Sequence, residues 1–146
     1  MKILKKTAAA RAKPVKRAAS RPSMPEDMAT KGLAAFFKIA ERWGLKAEEQ
    51  MILLGEPARS TFYNWKKGQV GAISKDTLER LSYSAGIYRA LRILIPNDDA
   101  ADAWIKQPNL APIFNKQPPA TLMLDGSVAG LYRVRQYLDA QRGGWA

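Results

Sequence analysis

From Leu45 to Gly68 the chain reads LKAEEQMILLGEPARSTFYNWKKG, and no other stretch restricts the fold as much. Lys46 to Leu54 suits a short helix, Gly55-Glu56-Pro57 a tight turn, and Ala58 to Lys67 a second helix that Gly68 stops. Two short helices joined by a glycine-bearing turn form a helix-turn-helix pattern. In the second helix Phe62 and Trp65 lie three apart and are expected to face inward. Arg59, Ser60, Thr61, Tyr63, Asn64, Lys66 and Lys67 are then left to face out. Hydroxyl, amide, guanidinium and ammonium groups are those that reach phosphates and base edges, so these residues are the candidate DNA-binding set. Gly55 precedes Phe62 by seven residues, one more than is usual for the motif, so the turn is expected to be one residue longer.

The flanking sequence is also helical in period. Ser23 or Pro25, followed by Glu26-Asp27, is a helix start. From there Met28, Leu33, Phe36, Phe37, Ala40 and Trp43 recur at helical spacing and predict a buried face, with Gly44 ending the helix. Ser74 is a good N-cap for a long helix. Its stripe of Leu78, Leu81, Ala85, Tyr88, Leu91 and Ile95 runs to Pro96 and is expected to pack partly on this chain and partly on a second copy. The last third breaks into small segments at Pro108-Asn109 and Pro118-Pro119. It then turns at Asp125-Gly126 into a final helix lined by Leu131, Val134 and Leu138. So short and proline-rich a segment must lean on the preceding helices or on a partner. The expected class is all-α.

Composition removes whole classes of function. With no cysteine and no histidine, the chain lacks thiol nucleophiles, disulfides, the usual general base near neutral pH and the commonest metal ligands. Asp98, Asp99 and Asp102 remain as a carboxylate group. They follow Pro96-Asn97 at a helix start, where acids favourably face the positive end of the helix dipole, so capping is the better reading. No enzyme, metal or cofactor is expected. No apolar run approaches the roughly 18 residues a membrane span needs, and no membrane partner is expected. Residues 1–24 hold eight of the 24 basic residues and none of the 13 acidic ones. This arm fits an organelle transit peptide and a flexible nucleic-acid-binding extension equally well by composition. The remainder carries a formal charge of only +3.

The segment AWIKQPNLAPIFNKQPPATLMLDGSVAGLYRVRQYLDAQRGGW, from Ala103 to Trp145, resembles the toxin-binding domain of the Xre/MbcA/ParS family of bacterial antitoxins. The likeness rests on Trp104, the Pro108-Asn109 pair, the stretch from Phe114 to Pro118 leading to Leu122, Gly126, and a final helix ending near Arg142-Gly143-Gly144. With the helix-turn-helix it covers about residues 30–146. One departure is Asn115-Lys116, where such proteins often have glycines, so this loop is expected to be stiffer or differently shaped. Composition sets off a basic flexible arm at 1–24, and the resemblance divides the rest into a helix-turn-helix DNA-binding bundle at 25–96 and a small helical toxin-binding domain at 97–146.

It also implies an inhibitor of a RES-domain toxin, a relative of ADP-ribosyltransferases that consumes or transfers from NAD. Such an inhibitor binds its own operator DNA as a homodimer in the bacterial cytoplasm. Leu131, Val134, Tyr137 and Leu138 are then expected to help dock the toxin, while Arg142, Gly143, Gly144, Trp145 and Ala146 reach its pocket. A stand-alone regulator whose last third only dimerises, and an RNA- or membrane-surface-binding protein driven by the arm, are the competing readings. A pure regulator has no need of Trp145. The arm lacks the large apolar residues of a membrane-surface helix.

Overall fold

The computed structural model describes residues 23–143, with side chains from residue 27 onward. Most of the basic arm, and Gly144, Trp145 and Ala146 of the expected toxin-binding tail, lie outside the described residues. Among those described, all regular structure is helical, as the all-α reading expects. The order is α1 (Ser23–Arg42), α2 (Ala47–Leu53), α3 (Arg59–Lys66), α4 (Lys75–Leu94) and α5 (Asp98–Ala103). Two single 3-10 turns follow, Trp104–Lys106 and Pro112–Phe114, then α6 (Ala120–Met123) and α7 (Val128–Gln141).

The first half is built around α1. Leu33, Phe36, Ala40 and Trp43 are buried as their spacing predicts, whereas Met28 is not. It is 50% exposed, and Ala29 takes the buried position in that first turn. Gly44, with φ of 67°, ends the helix in the left-handed conformation that glycine adopts without strain. Helix α2 is held at its start by Glu49, whose carboxylate accepts from the Lys46 amide at 2.8 Å. Buried Gln50 secures the preceding linker by donating to the Leu45 carbonyl at 2.8 Å. Between α2 and α3 both Gly55 (φ 93°) and Glu56 (φ 59°) are left-handed. The turn therefore has two reversing residues in succession, the second of them strained.

Helix α4 is the spine of the molecule. Ser74 caps it as expected, its hydroxyl accepting from the Thr77 amide at 3.1 Å. Leu81 faces the α1 side, and Tyr88 meets Trp43 edge to face at 6.1 Å between centroids. Ile87 and Ala90, absent from the stripe read from sequence, are fully buried. The reason is geometric: α4 packs on α1 and on α7, so it has two buried faces, and a single stripe describes only one.

The C-terminal half is assembled from short pieces at close range. Asn97 is the N-cap of α5, accepting from the Ala100 amide at 2.8 Å, and Asp98 and Asp99 lie in the first turn as expected. Asp98 also pairs with Arg92 at 2.7 Å. Asp102 joins Arg92 at 3.0 Å and Arg42 at 3.2 Å, tying α1, α4 and α5 together. At Gly130 in α7, a β-carbon would lie 2.1 Å from the Leu122 carbonyl oxygen, so only glycine lets α6 and α7 approach this closely. Asn115 (φ 49°) and Lys116 (φ 67°) both occupy left-handed conformations. The loop thus uses backbone geometry that suits glycine, imposed here on two residues with side chains.

Candidate functional site

Two outward surfaces concentrate polar chemistry, and each is set by the packing behind it. On the first, Phe62 plugs α3 into the core with no exposed area, its ring 5.7 Å from that of Phe37 and 5.0 Å from that of Tyr63. Half-buried Trp65 packs beside it. This fixes the rotation of α3 and leaves Arg59, Ser60, Tyr63, Asn64 and Lys67 exposed.

Two members of the sequence-predicted set sit differently. Thr61 is half-buried. Lys66 is exposed, and its ammonium lies 5.7 Å from the ring centroids of both Phe37 and Phe62. A cation over two aromatic faces is held by their quadrupoles, on the side where α3 meets α1. The helix has no acidic residue, so its outward face offers donors and two cations without an opposing charge.

The second surface is the outer side of α7. Leu131 and Val134 have no exposed area and Leu138 only 2%, so these three expected docking residues form the core and do not face a partner. The apolar stripe was legible, but it serves the contact with α4. Tyr137 is half-buried in a cluster with Trp104 and Phe114. Its ring stacks on Trp104 at 6.3 Å and meets Phe114 edge to face at 5.1 Å. Its other side opens on a groove of about 830 Å³, which Arg142 also lines. Tyr132, Arg133, Arg135 and Gln136, none of them singled out from sequence, line the same groove. The missing signal was the stripe opposite Leu131, Val134 and Leu138, which is rich in Tyr and Arg. Arg142 forms the C-cap of α7, and Gly143, with φ of 72°, turns the chain away after it.

The two halves are joined at a buried cation. Arg80, on α4, donates to Asp76 at 2.8 Å, to the Ile52 carbonyl of α2 at 3.3 Å and to the Gly126 carbonyl before α7 at 3.1 Å. Gly55 leaves it room: a β-carbon there would stand 3.2 Å from the Arg80 Nε. A buried guanidinium is tolerable only when its donors are satisfied, and here the acceptors come from both halves.

Comparison with known proteins identifies the family of each half. Residues 24–86 match the antitoxin Xre-like helix-turn-helix domain, and residues 90–144 match the antitoxin Xre/MbcA/ParS C-terminal toxin-binding domain. The chain belongs to the Xre/MbcA/ParS antitoxin family. The antitoxin is also 50% identical over 125 residues to the uncharacterized protein y4oB of Sinorhizobium fredii (strain NBRC 101917 / NGR234). That alignment spans 86% of this chain and 95% of that one. The outward face of α3 lies within the helix-turn-helix match, and the α7 groove lies within the toxin-binding match. Antitoxins of this family are typically not enzymes. Among the described residues, no helix of this antitoxin is long and apolar enough to cross a membrane.

Proposed function

We propose that this antitoxin neutralises a RES-type toxin, one that consumes NAD or transfers from it, and represses its own operon by binding promoter DNA as a homodimer. It acts in the bacterial cytoplasm and performs no chemistry itself. The toxin is the product of the adjacent gene. The C-terminal half docks that toxin, and the tail from Arg142 to Ala146 enters the active site and blocks NAD. The Gly143-Gly144 pair supplies the tether and Trp145 the aromatic plug. Arg59, Ser60, Tyr63, Asn64 and Lys67 contact operator DNA, with the basic arm adding affinity for any duplex by releasing counterions.

One observation supports this reading over a stand-alone regulator. The half that matches a toxin-binding domain has a Tyr- and Arg-rich groove ending where the tail begins, so it offers more than a dimer contact. Co-expression with the adjacent gene tests it. Arrest of growth and loss of cellular NAD by the adjacent gene alone, both relieved by this chain, are expected. A chain cut after Gln141 should still bind the toxin but should not restore NAD. Full protection by the shortened chain would remove the role given to Trp145. An adjacent gene product that is harmless, and that this chain does not bind, would favour the stand-alone regulator.

A further inference from the structure

The α7 groove carries more charge than its own residues neutralise. Arg135 donates to Asp139 at 3.2 Å and Arg142 lies 3.7 Å from the same carboxylate. Arg133, exposed on the same wall, has no carboxylate partner among the described residues. Three guanidiniums thus share one acid. Arginine presents a planar fork of donors that matches a carboxylate in two parallel hydrogen bonds, and the groove contains no lysine.

The aromatic part of the groove is equally defined. Tyr132 is 46% exposed, yet its ring is braced against that of Tyr83 on α4 at 5.7 Å. Tyr137 is braced from behind by Trp104 and Phe114. Arg135 is placed as well: its guanidinium lies against Gly86 of α4, where a β-carbon would collide with it. Side chains fixed before binding lose little entropy on association. Exposed, braced Tyr and Arg on a rigid helix are the residue types that dominate binding energy at protein interfaces.

We propose that this groove is the primary docking surface for the toxin and that it accepts an acidic segment of it. A carboxylate of that segment engages Arg133, while an apolar or aromatic side chain packs between Tyr132 and Tyr137. The inference rests on the reading that the chain binds a toxin, and adds where and by what chemistry. A DNA backbone is the less suitable occupant. Asp139 would face its phosphates, Ile113 and the tyrosine rings interrupt the cations, and every lining residue lies outside the reading helix and its supports.

The test is calorimetric titration of the full-length chain with the purified product of the adjacent gene. Wild type, Arg133→Glu, Arg133→Gln, Tyr132→Ala and a control, Arg89→Glu, are compared, with thermal melts to verify folding. Arg89 is exposed on α4 and does not line the groove. Arg133→Glu should weaken toxin binding by about tenfold or more, Arg133→Gln by less, and the control negligibly. Raising the salt should narrow the difference between wild type and Arg133→Glu. Unchanged toxin affinity in Arg133→Glu and Tyr132→Ala, with wild type binding tightly, would overturn the groove while leaving the antitoxin reading intact. Loss of operator affinity with toxin affinity unchanged would assign the groove to nucleic acid and overturn it too. Failure of wild type to bind the toxin removes both.

Discussion

In the first half of the molecule Phe36, Phe37 and Phe62 meet edge to face beneath α3, and the helix they hold turns Ser60, Asn64 and Lys67 to solvent. In the second half Trp104, Phe114 and Tyr137 make a comparable cluster beneath α7, and that helix turns Tyr132, Arg133 and Gln136 outward. The supports are alike and the exposed chemistry is not. Both faces expose a tyrosine and an arginine, but on α3 Tyr63 and Arg59 stand among a hydroxyl, an amide and an ammonium, groups that reach phosphates and base edges. On α7 tyrosine and arginine together offer a large, partly apolar contact suited to another protein. Rigidity in each half comes from aromatic packing. On the proposed reading, partner choice comes from what the opposite side of the helix carries.

The largest test of that contrast is Phe62→Ala. The ring is fully buried and is the plug that orients α3, so its loss should cost about 3–5 kcal/mol in urea denaturation and abolish operator binding. A variant that still bound the operator with wild-type affinity would show that α3 does not need this anchor. Gly130→Ala probes the other half. The new β-carbon meets a backbone carbonyl, which cannot swing aside, so a net loss of about 1–3 kcal/mol is expected despite alanine's better helix propensity. Gain of stability on denaturation would mean that the approach of α6 to α7 is loose. The smallest expected effect separates neighbouring lysines. Lys67→Met should weaken binding to all duplexes alike and reduce the slope of affinity against salt by about one. Lys66→Met should leave that slope unchanged, because its ammonium rests on Phe37 and Phe62. Equal slopes for the two variants would place both ammoniums on phosphate.

Much of this was readable from residues. The Phe62 and Trp65 spacing gave the rotation of α3, and Ser74 gave the start of α4, because both are local consequences of helix period and capping. What failed depended on neighbours distant in sequence. Lys66 is exposed, as its place on the polar face of α3 predicts, but the ring partners of its ammonium were not legible. Only the arrival of Phe37 from α1 converts that position into a cation held on rings. Periodicity identified Leu131, Val134 and Leu138 as a stripe. It carries no information on whether a stripe covers the same chain or a partner, and Ile87 and Ala90 on the second face of α4 supply the answer. At Asn115 and Lys116 the departure from glycine was visible, while the left-handed backbone that those residues adopt was not.

The buried Arg80 bears on how far the two halves can be exchanged. The helix-turn-helix match ends at residue 86 and the toxin-binding match begins at residue 90, so the junction falls inside α4 and not in a linker. Arg80 draws its acceptors from Ile52 on one side and Gly126 on the other. A chimaera joined within α4 must keep both buried faces of that helix, and one joined after it must bring the backbone at position 126 to the same place for Arg80. The two halves are therefore mechanically dependent, and exchanging one of them between relatives is expected to cost stability unless its contacts on α4 are exchanged with it.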